Sequence, residues 1–328
     1  MNSLKNLALF KNHSNADFNK LALSIFRFQA INNPVYKAFL DYVKCDINKI
    51  TQIEEIPFLP IQFFKTHEVL SGKSPVKEIF LSSGTTGLQQ SKHFVADLSL
   101  YEQSYLKGFS HFYGNINNYT ILALLPSYLN RNGSSLIYMV ADLIKKSGKP
   151  NSGFYLDNFE ALAELLNSLD KKGEKVLLIG VSFALLDLIE KYQFNLNHTI
   201  VMETGGMKGR RKELVRQELH QQLCKGFGIT KIHSEYGMTE LLSQAYSKGD
   251  GLFKTPPWMK ILIRDTEDAL SILPYNETGG LNIVDLANLN SCSFIATQDL
   301  GKTYSDGSFE VLGRFDNSDI RGCNLMVV

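Results

Sequence analysis

At 328 residues, with 44% hydrophobic and 20% charged residues, the chain has the make-up of a globular protein with one large core or two coupled ones. Its formal net charge of +1 gives no broad basic field, which leaves nucleic-acid binding without electrostatic support. The four cysteines, Cys45, Cys224, Cys292 and Cys323, show no CxxC spacing and no paired histidines, which argues against a zinc site or a disulfide framework and for reduced thiols.

The opening MNSLKNLALFKNHSN lacks the apolar core and cleavage site of a signal peptide. The longest apolar run, VLLIGVSFALLDLI (176–189), is too short to span a bilayer, carries Asp187 and is split by Gly180. A cytoplasmic protein without a membrane span is expected. Residues 1–75 read as mainly helical, packed on the main domain. Asp17 is placed to cap one helix, and Asn33-Pro34 to start a second. IPFLPIQFFK (56–65) then reads as extended toward a strand at 79–81.

Over residues 76–250 the elements alternate. A helix at 98–112 precedes a strand at 119–125, and a helix over 134–146 is closed by Gly148. Asp157 is expected to cap a helix to Leu169, followed by strand 175–180 and a helix to Tyr192. Strand 198–203, the charged helix RRKELVRQELHQQL and strand 230–234 complete the series. This rhythm predicts an α/β nucleotide-binding core with mostly parallel sheets. From 251 to 328 the pattern shifts to short β-like pieces (KILIRD, ALSILP, GGLNIVDL, SFIAT, SFEVLG), which read as an antiparallel or barrel-like β part.

Four short stretches carry the chemistry. SSGTTG (82–87), behind a hydrophobic run, offers hydroxyls and closely spaced backbone N–H groups, with Gly84 and Gly87 letting the backbone approach an anion and Lys92 adding positive charge. It is not a Walker A loop, since Ser91 stands where glycine must precede the lysine; the plain alternative is a polar turn. In HSEYGMTEL (233–241), a strand ends where ligands bind in parallel sheets. There Tyr236 can stack on a base, Thr239 can meet a phosphate and Glu240 can hold Mg²⁺. The plain alternative is a strand-to-loop turn with Glu240 in water. ATQDLG (296–301) offers Asp299 for two ribose hydroxyls, and GRFD (313–316) offers Arg314; capping and solvation are the ordinary fates of such residues.

Taken in order, these stretches resemble the adenylate-forming superfamily of acyl-CoA synthetases, luciferases and peptide-synthetase adenylation domains. IPFLPIQFFK, ETGGMKGRRKEL and GRFDNSDIRGCNLMVV narrow the likeness to the LuxE acyl-protein synthetases, from about residue 50 onward. The resemblance implies an adenylate-forming large domain, with the usual C-terminal lid of ~100 residues absent or nearly so. It implies ATP as cosubstrate with Mg²⁺ on Glu240. Ser82, Ser83, Gly84, Thr85, Thr86, Gly87 and Lys92 would handle the phosphates. Gly205, Gly206 and Tyr236 with its neighbour Gly237 would meet adenine, Thr239 the α-phosphate, Asp299 the ribose, and Arg314 the ribose and α-phosphate. Cys323, beside Arg321, falls where the branch accepts the acyl group as a thioester, whereas Cys45, Cys224 and Cys292 match no motif and read as structural.

The implied activity is ATP-dependent conversion of a fatty or other small carboxylic acid to acyl-AMP, then transfer to Cys323 for delivery to an acyl-accepting protein, such as a reductase or acyltransferase subunit. Two other readings remain open: a ligase that delivers the acyl group to CoA or a carrier protein, and a non-catalytic nucleotide-binding partner of an acyltransferase. Residues 124–140 and 180–189 are apolar enough to line an acyl slot, and equally have the character of core helices.

Overall fold

The computed structural model describes residues 9–83, 89–125, 133–156, 158–205 and 214–315. Helix α1 (Asn15–Asn32) is capped by Ser14, whose hydroxyl accepts from the Asp17 amide at 3.1 Å, so the cap lies three residues before the expected Asp17. Asn33 caps α2 (Pro34–Tyr42), with Pro34 in the first turn where its missing N–H costs nothing. The expected extended run over 56–65 is broken: only Leu59–Pro60 forms a strand, β1, and Phe63–Thr66 closes into a helical turn, α3.

Strands β2 (Glu78–Leu81) and β3 (Lys92–Val95) make an antiparallel hairpin, followed by α4 (Leu98–Tyr113) and β4 (Thr120–Leu124). Helix α5 (Ser135–Ser147) runs from its Ser134 cap to Gly148, which takes the left-handed conformation at φ 64°. After β5 (Gly153–Phe154), α6 (Phe159–Lys171) is capped by Asn158; the expected cap, Asp157, lies outside the described residues. Next come β6 (Val176–Val181), α7 (Ser182–Lys191) and β7 (Thr199–Thr204). The charged helix expected over 210–223 is α8 (Arg216–Phe227), with 206–213 outside the described residues. The remaining strands are β8 (His233–Tyr236), β9 (Ala245–Ser247), β10 (Leu252–Lys254), β11 (Met259–Arg264), β12 (Ile272–Leu273), β13 (Thr278–Asp285), β14 (Phe294–Thr303) and β15 (Phe309–Arg314).

These elements form two compact units that interleave along the chain. The first takes the described parts of 1–104, 239–243 and 254–328; the second takes those of 105–238 and 244–253.

In the second unit the strand order is β10-β9-β8-β7-β6-β4-β5, parallel from β8 through β5, with β9 antiparallel to β8. All residues of β4 and β6 are buried, as a parallel sheet covered on both faces requires. Helix α8 packs on α7 closely enough that a Cβ on Gly226 would run into the Ile189 side chain.

In the first unit the order is β12-β11-β13-β14-β15, all antiparallel, with β1 added parallel to β14. An aromatic cluster ties α1 and α2 to this sheet. Phe294 stacks on Tyr36 at 6.3 Å and meets Phe26 and Phe58 edge-on at 5.9 and 6.0 Å. The Gln29 side chain, fully buried, donates to the carbonyls of Asn288 and Leu289 and accepts from the Ser293 amide, which fixes α1 to the turn before β14. Among the described residues, no helix is long and apolar enough to cross a membrane.

Candidate active site

The serine- and threonine-rich loop is the tip of the β2–β3 hairpin. Its neck is closed by three hydrogen bonds: Ser82 N–H donates to the Ser91 carbonyl at 3.1 Å, Ser91 N–H to Ser82 Oγ at 2.9 Å, and Gln90 Nε2 to the Ser82 carbonyl at 2.8 Å. Ser83 lies exposed just past the neck, and Gly84, Thr85, Thr86 and Gly87 fall outside the described residues. Strand alternation sets what β3 presents. Ser91 and His93 point inward and are buried, while Lys92, paired with Leu81, faces solvent.

Both inward residues reach the Thr239–Ser243 segment, which belongs to the same unit. His93 Nδ1 bonds the Thr239 carbonyl at 2.8 Å, and burial pulls its imidazole down to about 4, so the ring is neutral and donates this proton. The Ser91 hydroxyl bonds the Glu240 carboxylate. Glu240 is itself only 5% exposed. Burial raises its pKa first, the Ser91 hydroxyl, its own amide and Arg314 pull it back, and Asp299 raises it again.

Two further buried residues clamp the backbone around Glu240. Asn288 Nδ2 donates to the Glu240 carbonyl at 2.8 Å. Asp285 accepts from Leu242 N–H and Ser243 N–H, both at 2.9 Å, from Ser243 Oγ at 2.6 Å and from Ala287 N–H at 3.0 Å. Burial pushes the Asp285 carboxyl up to about 6 against these four donors.

On the β14–β15 ladder, Asp299 and Arg314 are cross-strand partners, and Arg314 Nε donates to Asp299 Oδ1 at 3.0 Å. The Asp299 side chain is 8% exposed and that of Arg314 79%, so the carboxylate sits within the fold while most of the guanidinium faces solvent. Ser91, Glu240, Asp299 and Arg314 thus form one charged cluster in the first unit. Cys323 lies outside the described residues.

The second unit holds the other half of the motif residues, at the carboxyl ends of β7 and β8. Gly205 follows β7, and its carbonyl accepts from Ser182 Oγ at 2.7 Å; Gly206 falls outside the described residues. Tyr236 ends β8, buried, with its ring edge-on to Phe253 at 6.0 Å. Gly237 follows, and a Cβ there would collide with the Glu235 carboxylate. Between them stand residues that the motifs did not single out. Glu203 accepts from Arg216 Nη1 at 2.9 Å and lies 3.5 Å from His220 Nε2. Burial pushes its carboxyl up, but His220, Arg216 and Ser234 together outweigh it and hold it below the usual range. Glu235 accepts a hydrogen bond from Thr204 Oγ1; burial, opposed by that bond and aided by Glu203, pushes its carboxyl up to about 7. Their signal was available: an acid stands directly before TGG and before YG.

Among the described residues, no group of three His, Cys, Asp or Glu side chains could hold a metal ion unaided. A lone buried carboxylate such as Glu240 suits Mg²⁺, which commonly takes one or two protein carboxylates and fills its shell with phosphate oxygens and water.

No protein-family model and no curated protein matches this chain. Solved structures do. ATP-bound MatB from Rhodopseudomonas palustris is 18% identical with a TM-score of 0.54, over 74% of this chain and 49% of the MatB chain. An open conformation of 2-hydroxyisobutyryl-CoA ligase in complex with 2-HIB-AMP and CoA is 13% identical with a TM-score of 0.62, over 95% of this chain and 78% of that one. The same ligase in its postadenylation state with 2-HIB-AMP also gives 0.62, at 14% identity, over 95% and 71%. The chain spans about half the length of the MatB structures. Over the aligned residues the chain therefore shares the fold of these ligase structures: a parallel-rich α/β sheet with an antiparallel C-terminal β part.

Proposed function

We propose that this chain activates a carboxylic acid of the fatty class with ATP, forming acyl-AMP, and then carries the acyl group as a thioester on Cys323. The observation that carries the reading is the buried Glu240 beside the Asp299–Arg314 pair, on an architecture shared with adenylate-forming ligases.

The first step joins two anions, so the site must offset charge as it develops. The substrate carboxylate attacks the α-phosphorus, the bond to the bridging oxygen breaks, and pyrophosphate leaves. Ser82, Ser83, Gly84, Thr85, Thr86, Gly87 and Lys92 hold the phosphates, and Thr239 the α-phosphate. Gly205, Gly206 and Tyr236, with Gly237 beside it, receive adenine, and Asp299 and Arg314 the ribose. Glu240 would hold Mg²⁺, which supplies positive charge against the phosphate oxygens. In the second step the Cys323 thiolate attacks the acyl carbon and AMP departs with the electron pair. The acyl-accepting protein downstream is part of the same proposal.

A second reading, delivery to CoA, is favoured by the likeness to a ligase structure that contains both an acyl adenylate and CoA. Intact mass after incubation with ATP, Mg²⁺ and mixed fatty acids separates the two. An ATP-dependent acyl adduct that neutral hydroxylamine removes, and that Cys323→Ser abolishes, is expected. Pyrophosphate release with no adduct would hand the acyl group to CoA or a carrier instead.

A further inference from the structure

Asp299 stands at a break in the sheet. Between Gly280↔Leu300 and Asn282↔Ala296, two steps along β13 pass against four along β14, so Thr297, Gln298 and Asp299 stand against the single residue Leu281, whose carbonyl accepts from Thr297 Oγ1 at 2.9 Å. A bulge of this kind re-aims a side chain and strips ladder partners from nearby carbonyls. The gap is filled by Arg264, at the end of the neighbouring strand β11. Its Nη1 donates to the Leu281 carbonyl and to Asn282 Oδ1, both at 3.0 Å, and its Nη2 to the Thr297 carbonyl at 2.5 Å.

The guanidinium lies on Gly280, where any Cβ would run into it, and its other neighbour is the Phe315 ring at 5.4 Å. Phe315 N–H in turn donates to the Gln298 carbonyl at 2.9 Å, inside the same bulge. Arg264 also attracts the Asp299 carboxylate, and although burial lowers its pKa to about 10, it stays charged at neutral pH. Asp299 therefore lies between two guanidiniums of unlike exposure: Arg314, hydrogen-bonded to it and largely in solvent, and Arg264, half-buried and held by the carbonyls of Leu281 and Thr297, whose charge attracts it.

We infer that Arg264 is a positioning residue for the ribose-binding carboxylate: it occupies the β14 bulge and holds Asp299 in register with a fixed positive charge. When a nucleotide draws Arg314 away, Arg264 remains as counter-charge. The inference rests on the proposed ATP reading. Lysine cannot replace it, since one ammonium cannot reach two carbonyls in a planar fork.

The test is calorimetric titration of the full chain with ATP, 2′-deoxy-ATP and 3′-deoxy-ATP. The wild type is expected to prefer ATP by about tenfold or more, the scale of a hydrogen bond to a charged group. In Arg264→Lys that preference should fall to near unity, with the thermal midpoint shifted by only a few degrees. A variant that weakens all three nucleotides alike, or keeps the full preference, overturns the positioning role and leaves the ATP reading intact. A wild type that binds no ATP overturns both. Should Arg264→Lys not fold, Phe315→Leu removes only the ring on the guanidinium and should lower the preference in the same direction. An unchanged preference there overturns the inference.

Discussion

The acids beside the motifs set how the molecule answers pH. Glu235 holds its proton more tightly in the fold than in the unfolded chain, because burial and Glu203 disfavour its charge. With a folded pKa of about 7 against 4.5, its contribution to stability is complete below pH 4.5 and lost as pH rises through 7. The shift corresponds to about 3 kcal/mol at most. Glu235→Gln keeps the shape and removes the charge, so its thermal midpoint should gain on the wild type steadily from pH 5 to 8. Parallel midpoints across that range would show that Glu235 is not buried as an acid. The residue scale is also where the sequence was least legible. Lys92 carries the charge that the motif offers, and alternation along β3 turns it to solvent while Ser91 and His93 face inward. Nothing in the local pattern gives the register of a four-residue strand, so which of these residues face inward is set by the pairing with β2.

At the scale of elements, reading improves because periodicity and caps are local. The strands at 176–181 and 199–204 and the helix closed by Gly148 fall within a residue or two of expectation, since each has a continuous apolar run or a turn residue at its end. Strand β3 and the helical turn α3 leave no trace in the sequence pattern, being four residues each and without a cap signal. The Gly279-Gly280 pair fits the expected strand, and glycine inside a strand often marks a bulge, which is present beside it. Two other glycines separate propensity from packing. Gly148→Ala meets no neighbour but sits at φ 64°, and should cost about 1 kcal/mol from backbone strain alone. Gly226→Ala should gain up to about 1 kcal/mol of helix propensity. The added methyl would nevertheless meet Ile189 Cβ at 2.5 Å, and overpacking of this kind costs about 1–3 kcal/mol. Packing wins, so both variants should lower the midpoint of denaturant unfolding, Gly226→Ala the more. A stabilised Gly226→Ala would mean that α8 can move away from α7.

At the scale of the whole molecule, the fold class was readable and the partition of the chain was not. Strand–helix alternation followed by short β pieces predicted a parallel-rich α/β part and an antiparallel part, and both are present. What no linear reading supplies is the return of Thr239–Ser243 to the first unit, two residues after Tyr236-Gly237 in the second. The YGMTE stretch is therefore divided between the two units, and the backbone around its Glu240 is held by His93, Asp285 and Asn288, which lie 147, 45 and 48 residues away in sequence. Acid activation is the first step of the proposed reaction, and acid-dependent exchange of labelled pyrophosphate into ATP measures it without needing any acceptor. Exchange that requires Mg²⁺ and a fatty acid, and that falls at least a hundredfold in Glu240→Gln, is the predicted result. A wild-type protein that binds ATP yet catalyses no exchange with any carboxylic acid would contradict it.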